Sequence, residues 1–371
     1  RMKALHFNTV RVFAGWSRIE PEEGVFSEEA LAHYRQEIQA MLERGIRPLL
    51  TLHHFSNPLW LEEKGAFLKA DNITYYLRYV HKVVEALGDL VSEYITINEP
   101  NVYAFNSYFD GSWPPGKRSF LAMSRVMTNL TAAHIEAYGL IRKTRLQMGY
   151  SDTKVSFANH LRVFTPRDEK NPVHRFWSEK AEQLFQGSLT AAMCRGRRSF
   201  PIGKHPAIVP GEYCDFHAVN YYTRSTVSGP ADGVAAGCPV NDLGWEIYPQ
   251  GIVEVSRKVY RLLPRPIWIT ENGTCDNSDR FRARYIAEHL QALSQSDLPV
   301  ERYYHWCFCD NFEWVEGCSA RFGLVHVDYD TQQRTVKGSG DFYRQVIAQG
   351  GVSEALWQQY CGGSYPVNGE V

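Results

Sequence analysis

The chain has 371 residues, 44% of them apolar and 22% charged, with a formal net charge of -1. That suits an ordinary soluble protein, long enough for two average domains or one large α/β domain. The near-zero charge gives no electrostatic basis for a nucleic-acid or anionic-membrane partner, and no apolar run is long enough to span a bilayer. Nine Trp, 21 Tyr and 19 Phe make the chain rich in aromatics. Most of these rings fill a core, and some can line a pocket where flat apolar faces meet sugar C–H faces.

Taken in chain order, Met2–Phe7 (MKALHF) reads as the last turn of a helix, and Thr9–Phe13 (TVRVF) as a short β-rich run. Ser27 caps a helix whose apolar positions Ala30, Tyr34, Ile38, Met41 and Leu42 keep the helical period until Gly45 stops it. Strand-like RPLLTLHHF follows, then a helix from Asn72 to Leu87 closed by Gly88, then the strand EYITINEP. A long helix through Ala122–Arg142 leads to KVSFANH, and another through Trp177–Met193 leads to DFHAVNYY. The helix GIVEVSRKVYRLL precedes PIWITENG, and RYIAEHLQAL precedes ERYYHWCFCDNFEW.

Each strand is a continuous apolar run, as expected when helices cover one face and a core fills the other. Strands alternating with helices predict a parallel sheet with right-handed crossovers. Polar residues gather at the strand C-terminal ends: His53 and His54, Asn98 and Glu99, Asn159 and His160, Asn220 with Tyr222, Glu271 and Glu313. In an α/β barrel that is the catalytic face, whereas an open doubly wound sheet would collect function at one switch point. The expected fold is therefore a (β/α)8 TIM barrel, with residues 1–371 as a single catalytic domain. About seven strand–helix units are countable where eight are needed. The barrel is expected to lack its first strand and most of its first helix.

The eight Cys include no CxxC pair and no zinc-like spacing, and Cys307 and Cys309 read as small buried hydrophobes. A reduced, cytoplasmic setting is expected, with neither metal nor organic cofactor. Asn72 and Asn129 begin N-x-T tripeptides, read as chance matches because no secretory signal is visible.

Hydrolysing a glycosidic bond requires two carboxyl groups flanking it, one to protonate the leaving oxygen and one to attack the anomeric carbon or activate water. Glu99 in TINEP and Glu271 in ITENG each end an apolar β-rich run and precede a strand-breaking residue. Asn98 beside Glu99 is placed to hold a sugar 2-hydroxyl, and Arg11 and Tyr222 are suited to hold a nucleophile charged and aimed.

From VRVFAGWSRIEP through TLHHFSNPLW, TINEP, VNYYT, DLGWEIYPQG and ITENG to DNFEWVEG and RFGLVHVDY, the chain resembles glycoside hydrolase family 1. This is the retaining β-glucosidase and β-galactosidase family built on a (β/α)8 barrel. The resemblance implies Glu99 as acid/base and Glu271 as nucleophile. It also implies Arg11 and Tyr222 as contacts of the nucleophile, with Asn220 in support. Asn98 would bind the sugar 2-hydroxyl and His54 the 3-hydroxyl; Phe55 stands where many members have Trp. Trp306 matches the platform under the sugar ring, and Glu313 with Trp314 the pair that reads hydroxyls 3, 4 and 6. Members acting on 6-phosphorylated sugars replace that pair and add a Lys, which the continuation CSARFGLV lacks. Terminal non-phosphorylated β-glucosides, β-galactosides or β-fucosides are the implied small-molecule substrates. His53 is read as structural, Trp16, Trp60 and Trp245 as framework, Trp113 as an edge of the aglycone region, and Glu316 as a solvated loop charge.

The family's Gln-x-Glu-Gly segment, whose Gln binds the 3- and 4-hydroxyls, has no match here. Three explanations stand: an N-terminally truncated product, a natural short variant whose gap another group or chain fills, or an incomplete sequence. Open barrel edges predict weakened activity and self-association. The alternative function is an inactive β-glycoside-binding pseudoenzyme or a barrel recruited for assembly.

Overall fold

Parallel strands wrap into a nearly closed (β/α) barrel in the computed structural model, which describes residues 1–369. The strands are β1 (Thr9–Phe13), β2 (Arg47–His53), β3 (Glu93–Asn98), β4 (Lys154–Pro166), β5 (His217–Val227), the two-residue β6 (Asp232–Gly233), β7 (Ile267–Asn272) and β8 (Val300–His305). Their order is β1-β2-β3-β4-β5-β7-β8, every neighbouring pair parallel, with β6 antiparallel on the end of β5. Sequential parallel pairing follows from the helical crossover between successive strands, which returns the chain to the same end of the sheet.

The first full helix, Glu28–Glu43, starts where expected: Ser27 Oγ accepts a hydrogen bond from the Ala30 amide at 3.1 Å. The long helix runs from Phe120 to Gln147, capped in the same way by Ser119. One expected helix is two. Pro172–Glu182 and Ser188–Arg195 are joined by a π-helical turn, Gln183–Gly187. The wider turn turns Gln186 inward, where its amide accepts from the Arg162 amide and donates to the Arg162 carbonyl on β4. Met2–Phe7 holds only a single 3-10 turn, Lys3–Leu5.

Between sheet and helices lies a large apolar layer that includes Trp16, Tyr76, Tyr79 and Tyr94, all fully buried. Burial of a phenol requires a partner, and Tyr76 and Tyr79 donate to the Thr96 and Ala14 carbonyls at 2.6 and 2.7 Å. Inside the barrel, Leu49, Ile95, Ala158, Phe216, Ala218, Trp268 and Tyr304 form a second cluster. The Arg302 guanidinium lies 3.6 Å from the Trp268 ring centre and donates to Glu93 at 2.7 Å, so this partly buried cation has both a π face and a carboxylate.

Among the described residues β1 and β8 share no ladder, leaving a seam in the barrel wall. Side chains bridge it. The Thr9 and Tyr304 hydroxyls are 2.8 Å apart, and Phe7 meets Phe308 and Tyr343 edge-on, each at 5.8 Å between centres. Along the seam runs a groove of about 420 Å³ lined by both strands and by Trp306, Leu324 and Ile347.

Candidate active site

At the C-terminal ends of the strands, a cavity of about 220 Å³ is lined by His54, Glu99, Tyr222, Glu271, Trp306, Glu313 and Trp314, among others. Glu99 follows β3 directly and sits at φ 42°, a left-handed conformation costly for a side chain with a Cβ. Pro100 begins the next helix, so the chain turns sharply at the carboxyl it presents. Glu271 lies on β7, and the residues after it explain the ENG sequence. Asn272 donates to the Tyr221 carbonyl at 2.8 Å, and a Cβ on Gly273 would stand 1.9 Å from the Trp306 carbonyl oxygen. Only glycine fits there.

Both oxygens of Glu271 are engaged: Arg11 donates to one in a short ion pair, and the Tyr222 hydroxyl donates to the other at 2.6 Å. Arg11 also donates to Asn98 Oδ1 at 2.5 Å and to Thr51 Oγ1 at 2.9 Å, which fixes its plane. Glu99 is engaged at one oxygen only. Its Oε1 accepts from Asn220 Nδ2 at 2.9 Å and lies 3.2 Å from His160 Nδ1. Arg162 Nε donates to His160 Nε2 at 3.0 Å. That bond requires a lone pair on Nε2, so the ring is neutral and Nδ1–H points at Glu99.

Burial pushes the Glu271 carboxyl up to about 7, against Arg11, with the charge of Glu99 adding to the rise and Tyr222 opposing it. Glu99 is also pushed up by burial, but a charged His160, its hydrogen bond, Asn220 and Arg11 together bring it below the usual carboxylate value. The two carboxyls therefore titrate as a pair that holds one proton between them until about pH 7. The contact geometry leaves room for a proton on Glu99, whose second oxygen has no partner among the described residues. Burial keeps His160 below its ordinary value, so the imidazolium that would lower Glu99 is absent at neutral pH. Both Glu271 oxygens already accept a hydrogen bond, one from Arg11 and one from Tyr222, which favours the charged form.

Trp306 Nε1 donates to Glu313 Oε1 at 3.1 Å, and burial raises Glu313 to about 7. His54 lies nearly parallel to both Trp306 and Trp314, each 5.9 Å away between ring centres. Phe55, with φ 65°, packs on Trp113 at 4.8 Å and on Trp314 at 5.0 Å, completing an aromatic wall. Of the ten site residues expected from sequence, seven line the cavity. Arg11, Asn98 and Asn220 stand behind it, joined to the carboxylates by hydrogen bonds. Asn98 is fully buried, its amide nitrogen 3.2 Å from His54 Nε2, so it supports His54 from behind.

His53 is buried among Phe67, Tyr76 and Tyr103 and bonds Asn57, and Trp16 stacks on Tyr79. Trp60 donates to the Glu20 carbonyl, and Trp245 packs on Tyr222 and Phe322. Glu316 is exposed. Sequence reading placed His160 at a strand end but gave it no part in the site, and it passed over Arg162 altogether. Their alternation on β4 (His160-Leu161-Arg162), which puts both on one face, was the available signal. The seam groove shares His54, Trp306 and Trp314 with the cavity, so the two spaces adjoin.

A family model described as Glycosyl hydrolase family 1 matches residues 1–352. Beta-glucosidase A of Thermotoga maritima is 30% identical over 95% of this chain and 85% of its own length. The beta-galactosidase of Sulfolobus acidocaldarius is 29% identical over 92% of this chain and 74% of its own. A solved beta-glycosidase from Pyrococcus horikoshii superposes with a TM-score of 0.87 at 35% identity, covering 97% of this chain and 85% of that one. A Thermotoga maritima beta-glucosidase in complex with glucoimidazole gives 0.86 at 30% identity, over 95% and 85% of the two chains.

Proposed function

The chain belongs to glycosyl hydrolase family 1 and is a glycoside hydrolase, and from that premise we propose that it is a retaining β-glycosidase acting by double displacement. The observation that carries the reading is the asymmetry of the two carboxyls. Glu271 has both oxygens held by donors, as suits a charged nucleophile, and Glu99 keeps one oxygen free for a proton. In the first step a Glu271 oxygen attacks the anomeric carbon while Glu99 gives its proton to the leaving oxygen, and the glycosidic bond breaks. In the second step Glu99 takes a proton from water, whose oxygen displaces Glu271 from the same carbon.

The sugar rests on Trp306, with His54, Glu313 and Trp314 reading its hydroxyls and Asn98 steadying the 2-hydroxyl side. The favoured substrates are terminal, non-phosphorylated β-glucosides, with β-galactosides and β-fucosides as further candidates. A carboxyl that is half ionised near neutrality, Glu313, accepts hydrogen bonds from hydroxyls and repels a phosphate dianion. The seam groove beside the cavity admits water next to the reacting carbon, a reason for turnover to be modest. The edges of β1 and β8, unpaired among the described residues, are where we place self-association.

The test is hydrolysis of p-nitrophenyl β-glucoside and β-galactoside. Turnover by the purified chain should fall on the order of 10⁴-fold or more in Glu271→Ala. Azide added to that variant should restore release of p-nitrophenol with an α-glycosyl azide as product, because azide enters from the face the nucleophile occupied. Turnover no greater than that of Glu271→Ala, alongside binding of glucoimidazole, would instead support a sugar-binding barrel without catalysis.

A further inference from the structure

At the opposite end of the barrel from Glu99 and Glu271, three soft donors meet in the interior. The two sulfurs of Cys194 and Cys214 and a ring nitrogen of His217 all lie within 4.8 Å of one another. We propose that Cys194, Cys214 and His217 bind a single thiophilic divalent cation of the zinc type. His217 opens β5, and Tyr222 stands five residues further along it, about 16 Å at the usual rise of a strand. The cation is therefore structural and takes no part in glycoside chemistry.

The three ligands reach one point because three separate backbone constraints hold them there. Cys194 is in the last turn of the helix Ser188–Arg195, which Gly196 ends at φ 61°. A Cβ on Gly196 would stand 1.8 Å from the Val209 carbonyl oxygen, so the returning chain lies directly on the helix end. There the Gly211 and Tyr213 amides donate to the Arg195 and Cys194 carbonyls at 3.1 and 3.0 Å, bringing Cys214 beside Cys194. The Asp215 and His217 amides then donate to the Val155 and Pro266 carbonyls, fixing the start of β5. A site set by rigid elements pays little ordering entropy on binding.

The donor set points to the ion. His217 Nε2 lies 2.6 Å from the Leu263 carbonyl oxygen, so Nε2 carries the proton and Nδ1 the lone pair, the second-shell arrangement of a metal-bound histidine. All three ligands are almost wholly buried, Cys194 at 0%, Cys214 at 1% and His217 at 4% exposure. An ion in such a place must leave little net charge. Two thiolates and a neutral imidazole exactly offset a 2+ ion, whereas a monovalent copper would leave a buried negative charge. Binding displaces one proton from each thiol to solvent.

The experiment uses the full chain, reduced and stripped with a chelator, titrated with Zn²⁺ against a chromogenic competitor and separately with Co²⁺. One equivalent of Zn²⁺ should bind and raise the thermal midpoint. Co²⁺ should give thiolate-to-metal charge-transfer absorption. Cys194→Ser and Cys214→Ser should each lose the absorption and the Zn²⁺-dependent midpoint shift, and Cys318→Ser, an exposed thiol, should retain both. Absence of thiolate absorption in the folded wild-type chain would overturn the proposal, as would absorption that survives Cys214→Ser or disappears in Cys318→Ser. If the buried variants fail to fold, the wild-type Zn²⁺ stoichiometry and Co²⁺ absorption still decide the question.

Discussion

His160 and Arg162 set how the candidate acid titrates, since Arg162 fixes the ring as a neutral donor toward Glu99. Burial raises Glu271 to about 7, and through its coupling to Glu99 the pair sheds its last proton near there, leaving the proposed acid none to donate. The value of kcat/KM on an aryl β-glucoside should therefore decline above about pH 7. In His160→Ala the carboxylate form of Glu99 loses a donor, so its proton is held to higher pH. The descending limb should move up by about one pH unit, the 1.36 kcal/mol of one hydrogen bond to a charged group. A pH–rate profile of both proteins checks the sign. Tyr222→Phe acts on the other carboxyl. Loss of the donor that stabilises ionised Glu271 should lower kcat/KM by roughly 10–100-fold and move the ascending limb upward. A limb unchanged in both variants would remove these residues from the titration.

Among the elements, the helices owe their boundaries to local chemistry that a sequence displays. Ser27 is the N-cap that the side-chain pattern suggests, and Ser119 caps the long helix in the same way. Ser27→Ala should cost about 1 kcal/mol in urea unfolding and leave turnover unchanged, because the helix Glu28–Glu43 approaches the site only through the core. The π-turn at Gln183–Gly187 was not legible, since its cause is a bond across space from Gln186 to Arg162. The same limit hid the Cys194–Cys214–His217 cluster. Spacing rules look for close pairs of ligands, and here the helix end and the strand start are brought together only by the chain folding back at Gly196.

For the molecule as a whole, the seam decides how far the barrel behaves as a closed unit. The Thr9–Tyr304 hydrogen bond and the Phe7 contacts carry the load that a backbone ladder carries elsewhere. A double-mutant cycle of Thr9→Val and Tyr304→Phe should give a coupling of about 0.5–1.5 kcal/mol, read by denaturant unfolding. Edges of β1 and β8 that are unpaired among the described residues predict an association of this 371-residue chain that rises with protein concentration, which sedimentation velocity would detect. A strictly monomeric species over a hundredfold concentration range would count against it.

The sequence by itself determined the alternation of strand and helix, and hence the parallel barrel with its polar residues at one end, because period, caps and turn residues are local properties. It also carried the TINEP and ITENG signatures, whose Pro100 and Gly273 are required by the turn and the close approach the structure displays. Only the tertiary structure decided which carboxyl is clamped at both oxygens and which is not, since Arg11, His160, and Asn220 with Tyr222 arrive from three different strands, β1, β4 and β5. Hydrogen bonds and burial are set by neighbours in space, and those neighbours, up to 260 positions apart for Arg11 and Glu271, are fixed only when the barrel assembles.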